Sequence, residues 1–271
     1  MRKMKRSVSL LDRGFLYGDG LFETMRSYGG KVFKPCEHLS RLRRSAKVLN
    51  IKMPCSGTAA KKMIYEAIRS KRLNDAYIRL TLTRGEGAFS FDGSVSSKPN
   101  LFLIVKAYKG YPARIYANGI SAKISRIRQN EHSPLSGVKS LNFLNYILAR
   151  DGARDEGFDE AILLNTEGNV AEAAVSNIFL VSKDILVTPS LNSGCLPGIT
   201  REIVMRIAGE AGIKVKERIV RREELTDADE VFFTNSLAEI LPVIKIGRVK
   251  IGSGRPGRIT KLLHARYRKM I

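Results

Sequence analysis

The chain has 271 residues, 44% hydrophobic and 27% charged, enough for one large or two modest domains with packed cores. Its longest apolar runs are far too short to cross a bilayer, and the basic start Met1-Arg2-Lys3-Met4-Lys5-Arg6 leads into no apolar segment. A cytoplasmic protein is therefore expected, with no membrane partner. The net charge of +21 is spread along the chain, and its densest clusters, around Arg41 and Arg221, lack interleaved aromatic residues. It suits anionic small molecules better than nucleic acid. Cys36, Cys55 and Cys195 are odd in number and at no metal-ligand spacing, and His38, His132 and His264 are scattered, so reduced thiols and no metal are expected.

In chain order, residues 20–28 read as a strand ending at the Gly29-Gly30 turn, with Val32 and Phe33 opening its hairpin partner. Residues 35–50 read as a helix through Leu39, Leu42, Ala46 and Leu49, and residues 58–69 as a second. Residues 77–83 alternate as a strand that stops at Arg84-Gly85-Glu86-Gly87. Residues 101–106 are nearly all apolar and read as a central strand. Tyr108-Lys109-Gly110-Tyr111-Pro112 breaks the pattern, placing a small α/β N-terminal domain at 1–107 and a larger C-terminal domain at 108–271. In the latter, strands are predicted at 119–125, 160–165, 177–182, 185–188, 214–220 and 230–234. Helices are predicted at 139–152, 200–211 and 258–270.

Three groups in this second half carry chemistry. Lys139 follows the tight approach Pro134-Leu135-Ser136-Gly137 and precedes an apolar run, a setting in which a lysine can be desolvated and reactive. Glu172 stands among alanines, either as an edge carboxylate met by an arginine or as the partner of a cofactor's ring nitrogen. Gly194-Cys195-Leu196-Pro197-Gly198-Ile199-Thr200 opens a strong helix: Thr200 suits an N-cap, and the free N–H groups there suit a phosphate. Cys195 within it reads as an inert small residue. Asn235-Ser236, directly after a strand, could add a hydroxyl and a backbone donor, and Arg41 a guanidinium. The amine, carboxylate and anion cradle together are what a pyridoxal phosphate site needs.

With these residues in place, the chain resembles the class IV, fold-type IV, pyridoxal phosphate-dependent aminotransferases. That group holds branched-chain aminotransferases, D-amino acid aminotransferases and aminodeoxychorismate lyases. The resemblance runs from about residue 10 to the C-terminus. It rests on Asp12-Arg13-Gly14-Phe15-Leu16-Tyr17-Gly18-Asp19-Gly20-Leu21-Phe22-Glu23, His38 to Arg41, Lys139-Ser140-Leu141-Asn142, Glu172 with Ser176-Asn177, Gly198-Ile199-Thr200, and Asp229-Glu230-Val231-Phe232.

The resemblance implies an α/β (α+β) fold of a small domain and a larger one with a barrel-like sheet, an active site between them, and a homodimer. It implies that Lys139 is the Schiff-base lysine and Glu172 the ring-nitrogen partner. Arg41, Ile199, Thr200 and Ser236 would hold the phosphate, with Ser176, Asn177, Gly198 and Asn235 beside the cofactor, and the loop 126–134 near it. Tyr17, Phe22, Arg26, Tyr77, Arg79 and Arg84 are the substrate-binding candidates. Where the family carries an N-terminal strand, only a short basic lead of about ten residues stands here, so either that strand is shortened or the chain starts late, and the edge packing of the small domain is open.

Substrate signals are mixed. Tyr77-Ile78-Arg79 resembles the branched-chain enzymes, whereas Thr83-Arg84-Gly85 resembles the D-amino acid enzymes and the lyases. The Arg-x-His carboxylate trap of the D-enzymes is not visible around residues 86–90, and Phe143-Leu144-Asn145 lacks the basic or bulky residue of the lyases. The leading expectation is transfer of an amino group from an apolar, branched-chain-type amino acid to a 2-oxo acid such as 2-oxoglutarate. The alternatives are an aminodeoxychorismate lyase making 4-aminobenzoate and pyruvate, a D-amino acid aminotransferase, or a binding protein on a decayed scaffold.

Overall fold

The structure is a computed structural model and describes residues 7–87 and 96–271. The basic start at 1–6, and residues 88–90 of the stretch searched for a carboxylate trap, lie outside the described residues. The chain divides into two compact units, Met1–Lys109 with Val138–Phe143, and Gly110–Gly137 with Leu144–Ile271. No helix among the described residues is long and apolar enough to cross a membrane.

In the first unit a short helix α1 (Arg13–Tyr17), capped by the Asp12 side chain, leads into β1 (Gly20–Tyr28). Ser27 pairs with Val32 and Tyr28 with Lys31, so β2 (Lys31–Val32) follows a two-residue turn. Gly29 and Gly30 there both have positive φ, 54° and 80°, which matches the right-handed twist of a hairpin and explains the glycine pair. Helices α2 (Pro35–Val48) and α3 (Gly57–Ser70) follow; the first starts on a proline whose missing N–H costs nothing there, and the second is capped by Ser56. β3 (Ala76–Gly87) and β4 (Ser96–Ala107) complete a sheet of order β2-β1-β3-β4.

Two expectations are corrected here. β3 runs on through Arg84-Gly85 to Gly87, with the register shifting between Thr83 and Glu86, instead of stopping at residue 83. β4 is the edge strand, not a central one, and Ile104 is 54% exposed. Both helices cover one face of the sheet, so Leu101, Leu103 and Val105 meet the core with Leu39, Leu42, Ile64, Ile78 and Leu80, while the alternate apolar residues point away. A continuous apolar run signals burial on two faces only when something covers the second face.

The segment Val138–Phe143 follows the expected boundary in sequence but packs with this first unit. It is not the start of a helix. The Phe22 N–H donates to the Lys139 carbonyl at 3.0 Å and Leu141 N–H to the Gly20 carbonyl at 2.9 Å, so the segment pairs antiparallel with the start of β1. A Cβ on Gly20 would lie 2.6 Å from the Leu82 carbonyl oxygen and 2.8 Å from Leu141 Cδ1, so only glycine admits the segment.

The second unit is built on a nine-stranded sheet. In chain order come α4 (Ala113–Asn118), β5 (Ile120–Ile124), α5 (Leu144–Asp155), β6 (Glu160–Leu164), β7 (Val170–Ala173), β8 (Asn177–Ser182) and β9 (Ile185–Pro189). After them come α6 (Ile199–Glu210), β10 (Val215–Arg218), α7 (Glu224–Asp227), β11 (Glu230–Asn235), β12 (Glu239–Ile246), β13 (Val249–Lys250) and α8 (Arg258–Arg268). The strand order is β10-β9-β8-β11-β12-β5-β6-β7, with β13 beside β12. β7 returns against β8 and β9, so the sheet curls on itself. Its interior holds Ile120, Ile162, Leu164, Ile178, Val231, Phe233 and Leu241. β12, which the sequence reading missed behind Pro242, is one of its inner strands.

Candidate active site

In the first unit, alternation along the strands gathers candidates on the sheet face that the helices leave uncovered. Thr24 pairs with Arg79, Phe22 with Thr81 and Arg26 with Tyr77, so Phe22, Arg26, Tyr77 and Arg79 share that face. The Arg79 guanidinium carbon lies 3.8 Å from the Phe22 ring centroid, and Lys106 Nζ lies 5.1 Å from that of Tyr77. Arg26 is buried, with Tyr28 at 4.2 Å and Tyr108 at 5.1 Å. Lys139 joins them: its Nζ is 4.5 Å from the Phe22 centroid and 5.7 Å from that of Phe143, whose ring meets Phe22 edge-on at 5.4 Å. An amine over two apolar rings, on a backbone fixed by β1, is partly stripped of water, the condition for a lysine to act as a nucleophile.

The structure does not bring every substrate candidate to this face. Arg84 donates to Asp19 Oδ2 at 2.7 Å and to the carbonyls of Leu49 and Asn50, so its guanidinium ties loops together. Tyr17 ends α1 beneath the Arg13 guanidinium. Arg41 lies on the helix-covered side, buried, with Nε and Nη2 bound to Glu23.

In the second unit, Glu172 on β7 is 5% exposed. Its Oε2 accepts from Leu196 N–H at 3.0 Å and its Oε1 from the Tyr146 hydroxyl at 3.2 Å. It is therefore a buried carboxylate held by a backbone N–H and a phenol. Asn177 Nδ2 donates to the Leu196 carbonyl at 2.7 Å, and a Cβ on Gly198 would stand 1.9 Å from Asn177 Oδ1. Glycine at 198 is what lets Asn177 hold the loop.

α6 then starts at Ile199. The expectation of a Thr200 N-cap is corrected: Gly198 is the N-cap, with no side-chain hydrogen bond, and Thr200 is the buried second residue of the helix. With no cap side chain, the first-turn N–H groups and the positive dipole end stay directed at whatever anion arrives. Asn235 Oδ1 accepts from Leu237 and Ala238 N–H, at 2.8 and 2.7 Å, closing the turn that carries Ser236, while its Nδ2 donates to Ser176 Oγ at 2.9 Å. Burial, then the Glu172 charge, push the Cys195 thiol up to about 12, so it stays protonated and inert.

Three residues that sequence reading missed support these groups. Tyr146 and Gln129 stand behind Glu172, with no local pattern to mark them. Fully buried Glu239, three residues past Ser236, accepts from His264 and Arg268 of α8, each at 2.9 Å, and so anchors the far end of that turn. Its φ of 60°, rare for a glutamate, was not readable from sequence.

The donor set in the second unit fits an ester phosphate with a ring nitrogen: an uncapped helix start, a loop shaped by Gly198, a hydroxyl-bearing turn and one fixed carboxylate. Comparison with known proteins agrees. A family model described as amino-transferase class IV matches residues 20–246. A putative branched-chain-amino-acid aminotransferase of Methanocaldococcus jannaschii is 40% identical over 262 residues, covering 96% of this chain and 90% of that protein. Among solved structures, the branched-chain amino acid aminotransferase of Escherichia coli superposes with a TM-score of 0.94 at 30% identity, covering 98% of this chain and 90% of that one. That of the archaeon Thermoproteus uzoniensis, solved with norvaline, gives 0.91 at 34% identity, covering 98% and 90%.

The two sheets are thus those of a fold-type IV enzyme. The chain belongs to the class IV aminotransferase family, whose members are pyridoxal phosphate enzymes.

Proposed function

We propose that this enzyme moves an amino group from an apolar, branched-chain-type L-amino acid to a 2-oxo acid such as 2-oxoglutarate, with pyridoxal 5'-phosphate as cofactor. The observation that carries the reading is the amine of Lys139 over the rings of Phe22 and Phe143, on the sheet face that also presents Arg79. Apolar rings beside a guanidinium suit a substrate with an apolar side chain and a carboxylate.

The cofactor, when bound, supplies an electron sink for the bond broken at the substrate α-carbon. Lys139 would hold the cofactor, and its amine would move the substrate α-proton as base and then acid. Glu172 would hold the ring nitrogen and favour its protonated form. Ile199, Thr200 and Ser236 would take the phosphate, with Ser176, Asn177, Gly198 and Asn235 holding the loops that present them. Arg41 adds positive charge, oriented by Glu23. Phe22, Arg26, Tyr77 and Arg79 would receive the substrate; Tyr17, packed against Arg13, and Arg84, bonded to Asp19 and two loop carbonyls, stand apart from that face. Cytoplasmic placement and a homodimer complete the reading, the latter open to sedimentation.

The test begins with colour. Purified protein given the cofactor should turn yellow, as a lysine imine of it would, and borohydride followed by peptide mapping should mark Lys139. Oxo acid should then form from L-leucine with 2-oxoglutarate, and not from D-alanine. Pyruvate from aminodeoxychorismate with no oxo acid from leucine would establish the lyase instead. A protein that stays colourless would remove the cofactor reading.

A further inference from the structure

Glu172 is joined to a second layer of polar groups. The Tyr146 hydroxyl, half-buried on α5, lies 3.2 Å from Glu172 Oε1 and 3.0 Å from Gln129 Oε1. The Gln129 amide is not free to turn, because its Nε2 donates to the Gly194 carbonyl at 3.1 Å. Its oxygen must therefore face the phenol. Gly194, at φ 91°, sits in the same loop as Leu196, whose N–H holds the other Glu172 oxygen.

One phenol proton thus faces two oxygens. With Glu172 ionised, the proton is drawn to the carboxylate, and the amide oxygen is left facing the phenol oxygen. With a proton on Glu172 Oε1, the carboxyl donates to the phenol, which donates to Gln129, and every oxygen is satisfied. Burial first, then the Glu172 charge, keep the phenol far above its ordinary range, so Tyr146 redirects its proton without losing it.

We propose that Tyr146 and Gln129 are positioning residues that set the basicity of Glu172, and through it where the proton shared with the cofactor's ring nitrogen rests. This rests on the role of Glu172 proposed above. Tyr146 as donor lowers the basicity of Glu172 and leaves the proton on the ring. Gln129 competes for that donor and moderates the effect.

The experiment uses holoenzyme loaded with cofactor labelled with 15N in the ring, read by NMR, beside the cofactor dissociation constant and the kcat/KM split. Tyr146→Phe removes the donor, so the ring resonance should move toward that of neutral pyridine. kcat should fall roughly tenfold, the effect of losing one hydrogen bond to a charged group, with KM for the amino donor little changed. Gln129→Leu frees the phenol proton for Glu172, so the resonance should stay at, or move further toward, the protonated value. Should Tyr146→Phe not fold, Gln129→Glu keeps the ring packing, draws the phenol proton away from Glu172, and carries the same expected shift as Tyr146→Phe.

A purely structural role would leave the resonance fixed or move it the same way in all variants, and either result overturns the proposal. Glu172→Gln separates the two readings. If it moves the resonance and Tyr146→Phe does not, only this inference fails; if it does not, the role of Glu172 itself is wrong.

Discussion

Glu23 holds Arg41 by both carboxylate oxygens, with Nε at 2.8 Å and Nη2 at 2.7 Å, and His38 Nδ1 lies 2.7 Å from the same group. All three side chains are buried. Burial by itself raises the Glu23 carboxyl; the charge and hydrogen bonds of Arg41, then those of His38, outweigh it and hold it at about 2, below the ordinary 4.5. A folded value lower than the unfolded one means stabilisation that is complete above about 4.5 and lost as pH falls toward about 2. Acid unfolding followed by circular dichroism should show that loss in wild type and a flatter profile for Glu23→Gln. At neutral pH the variant should be less stable by about 3–5 kcal/mol, because the buried Arg41 loses the carboxylate that its Nε and Nη2 both bind.

Gly20 tests the placement of Lys139. Gly20→Ala pushes a methyl group into the Leu82 carbonyl and Leu141, so a loss of about 1–3 kcal/mol is expected, with slower incorporation of cofactor. Gly152→Ala is the control: nothing lies within 4 Å of its Cβ in the middle of α5, and the melting temperature should rise. Equal effects in thermal melts would contradict the pairing of 139–141 with β1.

Gly198→Ala tests the phosphate loop. The added methyl displaces Asn177 and with it the hold on Leu196. Pyridoxal phosphate should bind roughly tenfold more weakly, while pyridoxal, which lacks the phosphate, should change less. Spectrophotometric titration of both ligands measures the difference, and identical losses would argue against a phosphate at the start of α6.

Glu230 has a structural task that its place in a family motif hid. Its carboxylate accepts from Ile259 N–H at 2.9 Å and from Thr260 N–H and Oγ1 at 2.8 and 2.7 Å, capping α8 from β11. Glu230→Ala should cost about 1–2 kcal/mol in urea unfolding and leave cofactor affinity unchanged. A fall in affinity without a fall in stability would instead place Glu230 in the site.

Much of this was legible in the sequence where the signal is local. The hairpin at Gly29-Gly30, the helical spacing of Leu39, Leu42 and Ala46, and the Gly-rich entry to α6 each act within one turn or two strands. Elsewhere the signal falls short. The apolar composition of β4 suggests a central strand, but it says nothing about whether a layer covers the second face. Residues 139–143 suggest a helix from composition, but an apolar run has the same composition in either form, and the hydrogen bonds to Gly20 and Phe22 that choose the extended form come from far away in the chain. Threonine caps helices often, which points to Thr200, but the backbone places the cap two residues earlier, at Gly198.

The sequence by itself supplied the groups proposed to react, since an amine at Lys139, a carboxylate at Glu172 and a glycine at 198 before a helix-forming run are covalent facts with local context. The tertiary structure alone decided their surroundings: aromatic rings beneath Lys139, Tyr146 and Leu196 on Glu172, and Glu23 on Arg41. Such contacts join residues distant in the chain, so no spacing or propensity encodes them, and it is these contacts that set the hydration and charge on which the chemistry depends.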